Sequence, residues 1–528
     1  MATAQNHNTL TAHSDFCPET IYASLQSEVD SICQIFKQRA ASDQVQLDQV
    51  EVILKPLVFG LGTLFIQYYL ALIHHQLEAC SSRPPGRIRR RQVYTFFGRV
   101  IFWRRGKWGS FPLDKLMLIP REQFSLYLSG WFARRSSLQC YALAAKMFFS
   151  DHGWAPSIPT IRKMALGYSH YTSPYMADAR YAPPTPNLSK GHRIILQIQA
   201  DGKAIPTVKK DELTKRKEQA SRTRAELDVA ENRCKCKAVM GDKKGCCKRH
   251  RNKEKRGANP KTKRKRGDKS KNGKSATIVV ISLLVEGEDG KLHGPVAKRV
   301  WASLGPRKQM MDWAAKEVIR RGFDPKGENI QVLFDGELCL EQELTKRFPN
   351  AEFTLDVRHA EEYLWRAGRQ FHKEGSEELA CWIKKHLTLL HEGKTTELIR
   401  RIRISLTNRK KRSQRGLDQQ KHKIVNQTLT YLEKRKAFTN YTRLKKNHLD
   451  IGTGQVEGAA RNFVGQRLDE GGTRWSEEGG QAILQLRCIE LNEEWETFQG
   501  YVKEEFEKAW EKSGPQVLLT SKGAELCP

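Results

Sequence analysis

Three carboxylates stand where side chains from distant parts of the chain can converge. Asp201 follows the apolar run Arg193–Ala200 (RIILQIQA), Asp335 follows Asn329–Phe334 (NIQVLF), and Glu457 comes just after Gly452-Thr453-Gly454. Carboxylate oxygens are hard ligands suited to Mg²⁺ or Mn²⁺. Two such ions about 3.5–4 Å apart can activate an attacking oxygen and stabilise the leaving oxygen of a phosphodiester. The chemistry implied is in-line phosphoryl transfer. A lone Asp after a strand is a common turn former, but three in this order on a very basic chain point to a site. Asp356, at the end of EFTL, competes for the second position; the apolar run before Asp335 suits a central strand and favours Asp335.

The charge balance narrows the substrate. Lys+Arg 91 against Asp+Glu 59 leaves +32 over 528 residues, which argues against a small-molecule enzyme without a polyanionic partner and makes nucleic acid the expected one. Part of the excess is concentrated in Lys203–Ser275, where residues 241–275 hold 16 Lys or Arg against Asp242, Glu254 and Asp268, and Lys263, Arg264, Lys265 and Arg266 form the densest run. That composition reads as a disordered or DNA-following loop. The same stretch holds Cys234, Cys236, Cys246, Cys247 and His250, enough thiolate and imidazole for one tetrahedral Zn²⁺. The spacing is not the familiar one, so a zinc knuckle and a merely Cys-containing loop both stay open. Of the 12 cysteines, eight are scattered singly, as expected of a reducing compartment. With no secretory signal in the first residues, the expectation is a cytoplasmic protein. Pro56–Ile73 is apolar enough to raise the question of a membrane span, but Gln67 interrupts it and Lys55 abuts it, so a buried helix is expected and no membrane partner.

The elements that must position the carboxylates follow from periodicity. Residues 1–90 read as helical, with Ile21, Leu25, Val29, Ile32 and Ile35 at spacings of three and four. Arg83–Arg91 reads as a Pro-broken connector, and Val93–Trp108 as a hairpin around Gly98. Gln123–Ser150 reads as one helix and Ser157–Tyr168 as a shorter one. The pair fits a helix-turn-helix that would present Arg162 and Lys163 to a DNA groove, or an ordinary helical hairpin. Hairpin and helix pair make up a DNA-binding region over 91–180, and 181–191 is a Pro-rich linker.

From His192 onward the order is three strands, helix, strand, helix, strand, helix. This is the order of a ribonuclease-H-like α/β domain, over 192–373 and 448–498, interrupted by the basic insertion 203–275 and by a helical, basic insertion over 374–447; 499–528 would be a C-terminal helix and tail. In such a sheet the first strand and the central strand are neighbours, so Asp201 and Asp335 would meet. The fold expected is this domain, preceded by a mainly α DNA-binding region with a small β hairpin.

Two further clusters surround the acids: Asp356-Val357-Arg358-His359, and the stretches VEGAARNFVGQR and GGTRW, which lead into Gln485-Leu486-Arg487. With Asp201-Gly202 and Phe334-Asp335-Gly336-Glu337, these make the sequence resemble the DDE transposases of the Kra group of bacterial insertion sequences, distant relatives of Mutator-like elements. FPLDKLMLIP (Phe111–Pro120) resembles an N-terminal signature of the same family, so the likeness spans roughly Arg91 to Phe498. The resemblance implies a catalytic triad of Asp201, Asp335 and Glu457 holding Mg²⁺ or Mn²⁺, with two ions expected. It implies a transposase that binds element ends, cleaves phosphodiesters, joins the 3′-OH to target DNA, and works as a homodimer or larger assembly on DNA. The family's Cys pairs before the FPLD-like stretch have no counterpart in Arg104–Gly109 (RRGKWG). His359, Arg461 and Arg474 are candidate DNA contacts, and Trp475 could stack on an unpaired base, although a Trp in such a place is more often core. Two other readings remain: a domesticated, non-catalytic DNA-binding regulator, and a structure-specific DNA nuclease of the same fold.

Overall fold

The computed structural model describes residues 12–42, 46–80, 86–107, 109–183, 193–208, 273–412, 419–470 and 473–513, with 214, 218, 219 and 221. Two long helices open it, α1 (Pro18–Ser42) and α2 (Leu47–Ala79). α2 carries the apolar run and is the one helix among the described residues long and apolar enough to cross a membrane. The buried helix expected there is buried on one stripe only. Thr63, Gln67, Leu70, Ala71 and His74, at helical spacing, face inward, whereas Phe65 and Tyr69 are exposed, because α1 and the following hairpin cover a single side.

That hairpin pairs β1 (Arg87–Tyr94) with β2 (Arg99–Gly106) and turns through Gly98 at φ +144. The expected connector is therefore strand from Arg87 onward, and a boundary at residue 90 would cut β1. The reason is ionic: Arg91 and Arg104, facing the same way, close on the buried Asp114 carboxylate of the FPLD-like stretch. α3 (Pro112–Leu116) carries that aspartate.

The single helix expected over Gln123–Ser150 is two, α4 (Leu126–Leu138) and α5 (Tyr141–His152). Two buried arginines from far along the chain take up the carbonyls freed at the break: Arg467 Nε donates to Ser136 O at 3.2 Å and Arg487 Nη1 to Ser137 O at 3.0 Å. α6 (Ile158–Ser169) follows and buries Ile161, Met164, Ala165 and Tyr168, leaving Arg162 and Lys163 exposed; α7 (Thr172–Ala177) is short. Ala133, Ala165, Tyr168, Tyr175 and Met176 belong to the same buried cluster as the central sheet, so this part of 91–180 is packed onto the α/β unit.

The sheet holds β3 (Ile194–Pro206), β4 (Gly273–Glu286), β5 (Leu292–Ser303), β6 (Ile330–Phe334) and β7 (Glu352–Leu355) in the order β5-β4-β3-β6-β7. β5-β4-β3 pair antiparallel and β3-β6-β7 parallel, giving a mixed α/β sheet. Helices α8 (Arg307–Arg320), α9 (Leu338–Arg347) and α10 (Val357–Phe371) follow β5, β6 and β7. The expectation that β3 ends at Asp201 is corrected: β3 and β4 stay in register from Ile194↔Val285 to Pro206↔Gly273, and Asp201 pairs with Ile278 along the way. Backbone pairing continues because the antiparallel partner continues, even though the apolar run stops.

Helices α11 (Glu377–His391), α12 (Thr395–Arg412), α13 (Gln419–Arg435) and α14 (Tyr441–Lys446) form the expected helical insertion. α15 (Gly454–Ala459) runs into a π-helical stretch, Ala460–Asp469, before α16 (Glu477–Leu491) and α17 (Trp495–Ser513). The expected C-terminal helix is α17, which begins at Trp495 and buries Trp495, Phe498, Tyr501, Val502 and Phe506 in the core around the sheet.

Candidate functional site

Register brings the acids together. β3 pairs with β6 from Leu196↔Ile330 to Ala200↔Phe334, and β6 with β7 up to Phe334↔Leu355. Asp201, Asp335 and Asp356 are the next residues on three adjacent strands, so they lie in a row at one end of the parallel ladder. Side chains alternate along a strand, which puts Gln197, Gln199 and Asp201 on one face of β3.

The chain leading to Glu457 is laid across that face by buried amides. Gln197 Nε2 donates to Gln331 Oε1 at 2.9 Å and to Asp450 Oδ2 at 3.0 Å; Gln331 Nε2 donates to Asp450 O at 2.6 Å. Gln455 Nε2 reaches Gln197 Oε1 at 3.0 Å, and the Val456 N–H donates to Gln199 Oε1 at 3.1 Å. Glu457, the next residue, is thereby delivered to the row of aspartates. Its expected position, the start of a helix after Gly452-Thr453-Gly454, is where α15 places it.

Each acid has its own setting. Asp201 is half-buried; burial and the nearby Asp335 and Glu457 carboxylates push its pKa up to about 6, against the pull of the Gly202 N–H at 2.6 Å and of His359. Asp335 accepts the Glu337 N–H at 2.8 Å across Gly336, whose φ of +82 suits glycine. Asp356 is fully buried and fully engaged: Oδ1 accepts the Arg358 and Thr453 N–H groups, each at 3.2 Å, and Oδ2 takes Nδ1 of His359 at 2.6 Å. Burial opposes its charge, yet the bonds from His359 and Thr453 hold the carboxyl below the usual range. With both oxygens occupied by protein donors, Asp356 is set as a positioning group and Asp335 has the freer carboxylate.

The hydrogen bond to Asp356 raises the His359 pKa to about 9, opposed by burial and helped by the charge of Asp335. Ligand atoms of Asp356, His359 and Glu457 lie within 4.8 Å of one another, a grouping that could hold a metal ion. At the rim, Arg358 is 70% exposed and its Nη1 lies 3.6 Å from Glu457 Oε2. Arg307 pairs with Glu337 beside Gly202.

No family model matches this chain, and no curated protein matches it.

Among the expected DNA contacts, Arg461 is exposed on the π-helical stretch, Arg474 is half-buried, and Arg162 Nη2 reaches Ser476 Oγ at 3.2 Å. Trp475 is a correction. It is 5% exposed, donates its indole N–H to Leu468 O at 3.0 Å and lies under the Arg467 guanidinium, so its ring has no face for a base. Lys263, Arg264, Lys265, Arg266, Cys234, Cys236, Cys246, Cys247 and His250 lie outside the described residues. Sequence reasoning missed Gln197, Gln199, Gln331 and Gln455; the signal was two glutamines at alternate positions of an otherwise apolar strand.

Proposed function

We propose that this chain is a divalent-cation-dependent DNA phosphoryl transferase, and specifically a DDE-type transposase. The observation that carries the reading is the shared register of Asp201 and Asp335, with Glu457 delivered to the same face by the glutamine lattice. The strand order β5-β4-β3-β6-β7, antiparallel then parallel, is the one a ribonuclease-H-like domain requires, and it supports the same reading.

Asp201, Asp335 and Glu457 offer an all-oxygen donor set, and Asp201, its pKa raised first by burial and then by the neighbouring Asp335 and Glu457 carboxylates, is a charge that a cation would stabilise. These three residues would hold Mg²⁺ or Mn²⁺. Bound there, such ions supply activation of an attacking oxygen and stabilisation of the leaving one. The chain's own groups do the rest. The parallel register of β3 and β6 sets two carboxylates side by side, and the glutamine lattice holds the third. His359, charged at neutral pH and anchored by Asp356, places positive charge beside the acids, where a phosphate would lie. Arg358 and Arg461 are exposed cations suited to neighbouring phosphates. Double-stranded DNA is the proposed partner, bound by a homodimer or larger assembly, and the protein would be cytoplasmic and nucleoid-associated.

The test is a strand-transfer assay with labelled DNA carrying the flanks of the gene. Cleavage followed by joining supports the proposal. Cleavage without joining identifies a nuclease, and binding without cleavage a regulator.

A further inference from the structure

The last long helix of the insertion ends against the catalytic strand. Tyr431, on α13, is 8% exposed and donates its hydroxyl to Asp335 O at 3.0 Å. Its ring stacks on Tyr363 of α10 at 3.8 Å and 8°, and the Arg435 guanidinium lies 4.8 Å above it. Arg435 Nη2 reaches Glu341 of α9 at 3.5 Å. Phe438 follows and packs its ring 5.6 Å from Phe334, the last residue of β6, and 5.8 Å from Phe353 of β7. The fit admits no more atoms. A Cβ on Gly336 would stand 2.7 Å from Tyr431 Oη and 2.8 Å from Arg435 Nε.

We infer that the helical insertion is the back wall of the cation site, with Tyr431 a positioning residue for Asp335. This rests on the proposed role of Asp335 as a cation ligand. The carboxylate of Asp335 is fixed by its own turn, through the Glu337 N–H, and that turn is fixed by what touches its backbone. One contact is the Tyr431 hydroxyl, and the other is the closed space around Gly336. Without them the Asp335–Gly336 turn keeps its backbone but gains freedom, and a ligand that must be ordered on binding costs affinity.

The experiment is calorimetric titration of Mn²⁺ into the full chain without DNA. Tyr431→Phe removes one oxygen and should weaken Mn²⁺ binding about fivefold, roughly the worth of one neutral hydrogen bond. Raised Mn²⁺ should restore its cleavage rate. Gly336→Ala should weaken binding further. The control is Tyr441→Phe, because the Tyr441 hydroxyl donates to Leu355 O at 2.9 Å, a similar buried bond from the insertion to the neighbouring strand. It should lower the melting temperature about as much as Tyr431→Phe while leaving Mn²⁺ affinity unchanged. Equal Mn²⁺ affinity in Tyr431→Phe and wild type, with Asp335→Asn abolishing binding, would overturn the inference and leave the site intact. Undiminished binding by Asp335→Asn would instead overturn the role of Asp335, and the inference with it.

Discussion

Asp356 holds His359 and Thr453 at once, one through each carboxylate oxygen. Thr453 begins the turn that leads to Glu457, so a single buried carboxylate links the histidine at the rim to the loop that carries the third acid.

Asp356→Asn should therefore lower both stability and cleavage. Asparagine keeps one acceptor but loses the charge that His359 and the two N–H groups bond to, a loss of about 2 kcal/mol. Denaturant melts and a cleavage assay on one preparation check this. A stable variant with wild-type cleavage would remove Asp356 from the site.

Asp201→Asn, Asp335→Asn and Glu457→Gln should behave differently. Each removes a proposed metal ligand, so cleavage and joining should be abolished; Asp201→Asn, which removes a charge that burial opposes, should also melt at or above the wild-type temperature in chelator. DNA binding should be nearly unchanged, because the basic surface remains. Differential scanning calorimetry in chelator and gel shifts separate the two effects; a destabilised Asp201→Asn chain would show that burial does not disfavour the Asp201 charge.

Protons and cations should compete at Asp201. A folded pKa near 6, above the ordinary value, means the native state takes up a proton more readily than the unfolded chain, so this group favours folding most at low pH and loses that contribution as pH rises through about 6. Bound Mg²⁺ favours the charged form. The rise in melting temperature given by Mg²⁺ should thus be large at pH 7.5 and much reduced at pH 5. The Asp356–His359 pair follows another course: it is lost as pH rises through about 9, and again as pH falls below the ordinary carboxylate range, where Asp356 takes up a proton. A Mg²⁺ effect equal at pH 5 and 7.5 would contradict the assignment of Asp201 as a ligand.

Gln199→Leu tests the lattice. The Val456 N–H would lose its acceptor in a buried place, at a cost of about 1–3 kcal/mol. Cleavage should fall with Glu457 correctly present but poorly placed, and apparent Mg²⁺ affinity should drop. Full activity with the expected loss of stability would limit Gln199 to the core.

Much of the α/β unit was legible because short runs such as NIQVLF and EFTL, bounded by turn residues, read as strands, and their order left few topologies. Asp335 was legible at the end of its strand and Glu457 in the helix after Gly452-Thr453-Gly454, whereas Asp201 lies inside β3 and not at its end. The far end of β3 was not, since Gly202, Lys203 and Ala204 carry no strand pattern and are held by pairing with residues 275–277. The break between α4 and α5 was hidden for a similar reason: Arg467 and Arg487, more than 300 residues away in sequence, supply the donors that end α4. Trp475 was misjudged because the groups that bury it, Leu468 and Arg467, come from a π-helical stretch that periodicity does not announce.

The continuous β3–β4 ladder has a consequence for how such a chain can change. Beyond Asp201 the two strands stay zipped as far as Pro206↔Gly273, so whatever joins those two residues begins and ends at a closed clamp, with the acids isolated from it by paired backbone. Thr207 and Val208 then pair with Trp475, so the point where the chain leaves β3 is also anchored to the stretch just before α16. A change made between Val208 and Gly273 therefore leaves in place the register of Asp201 and Asp335, which paired backbone sets.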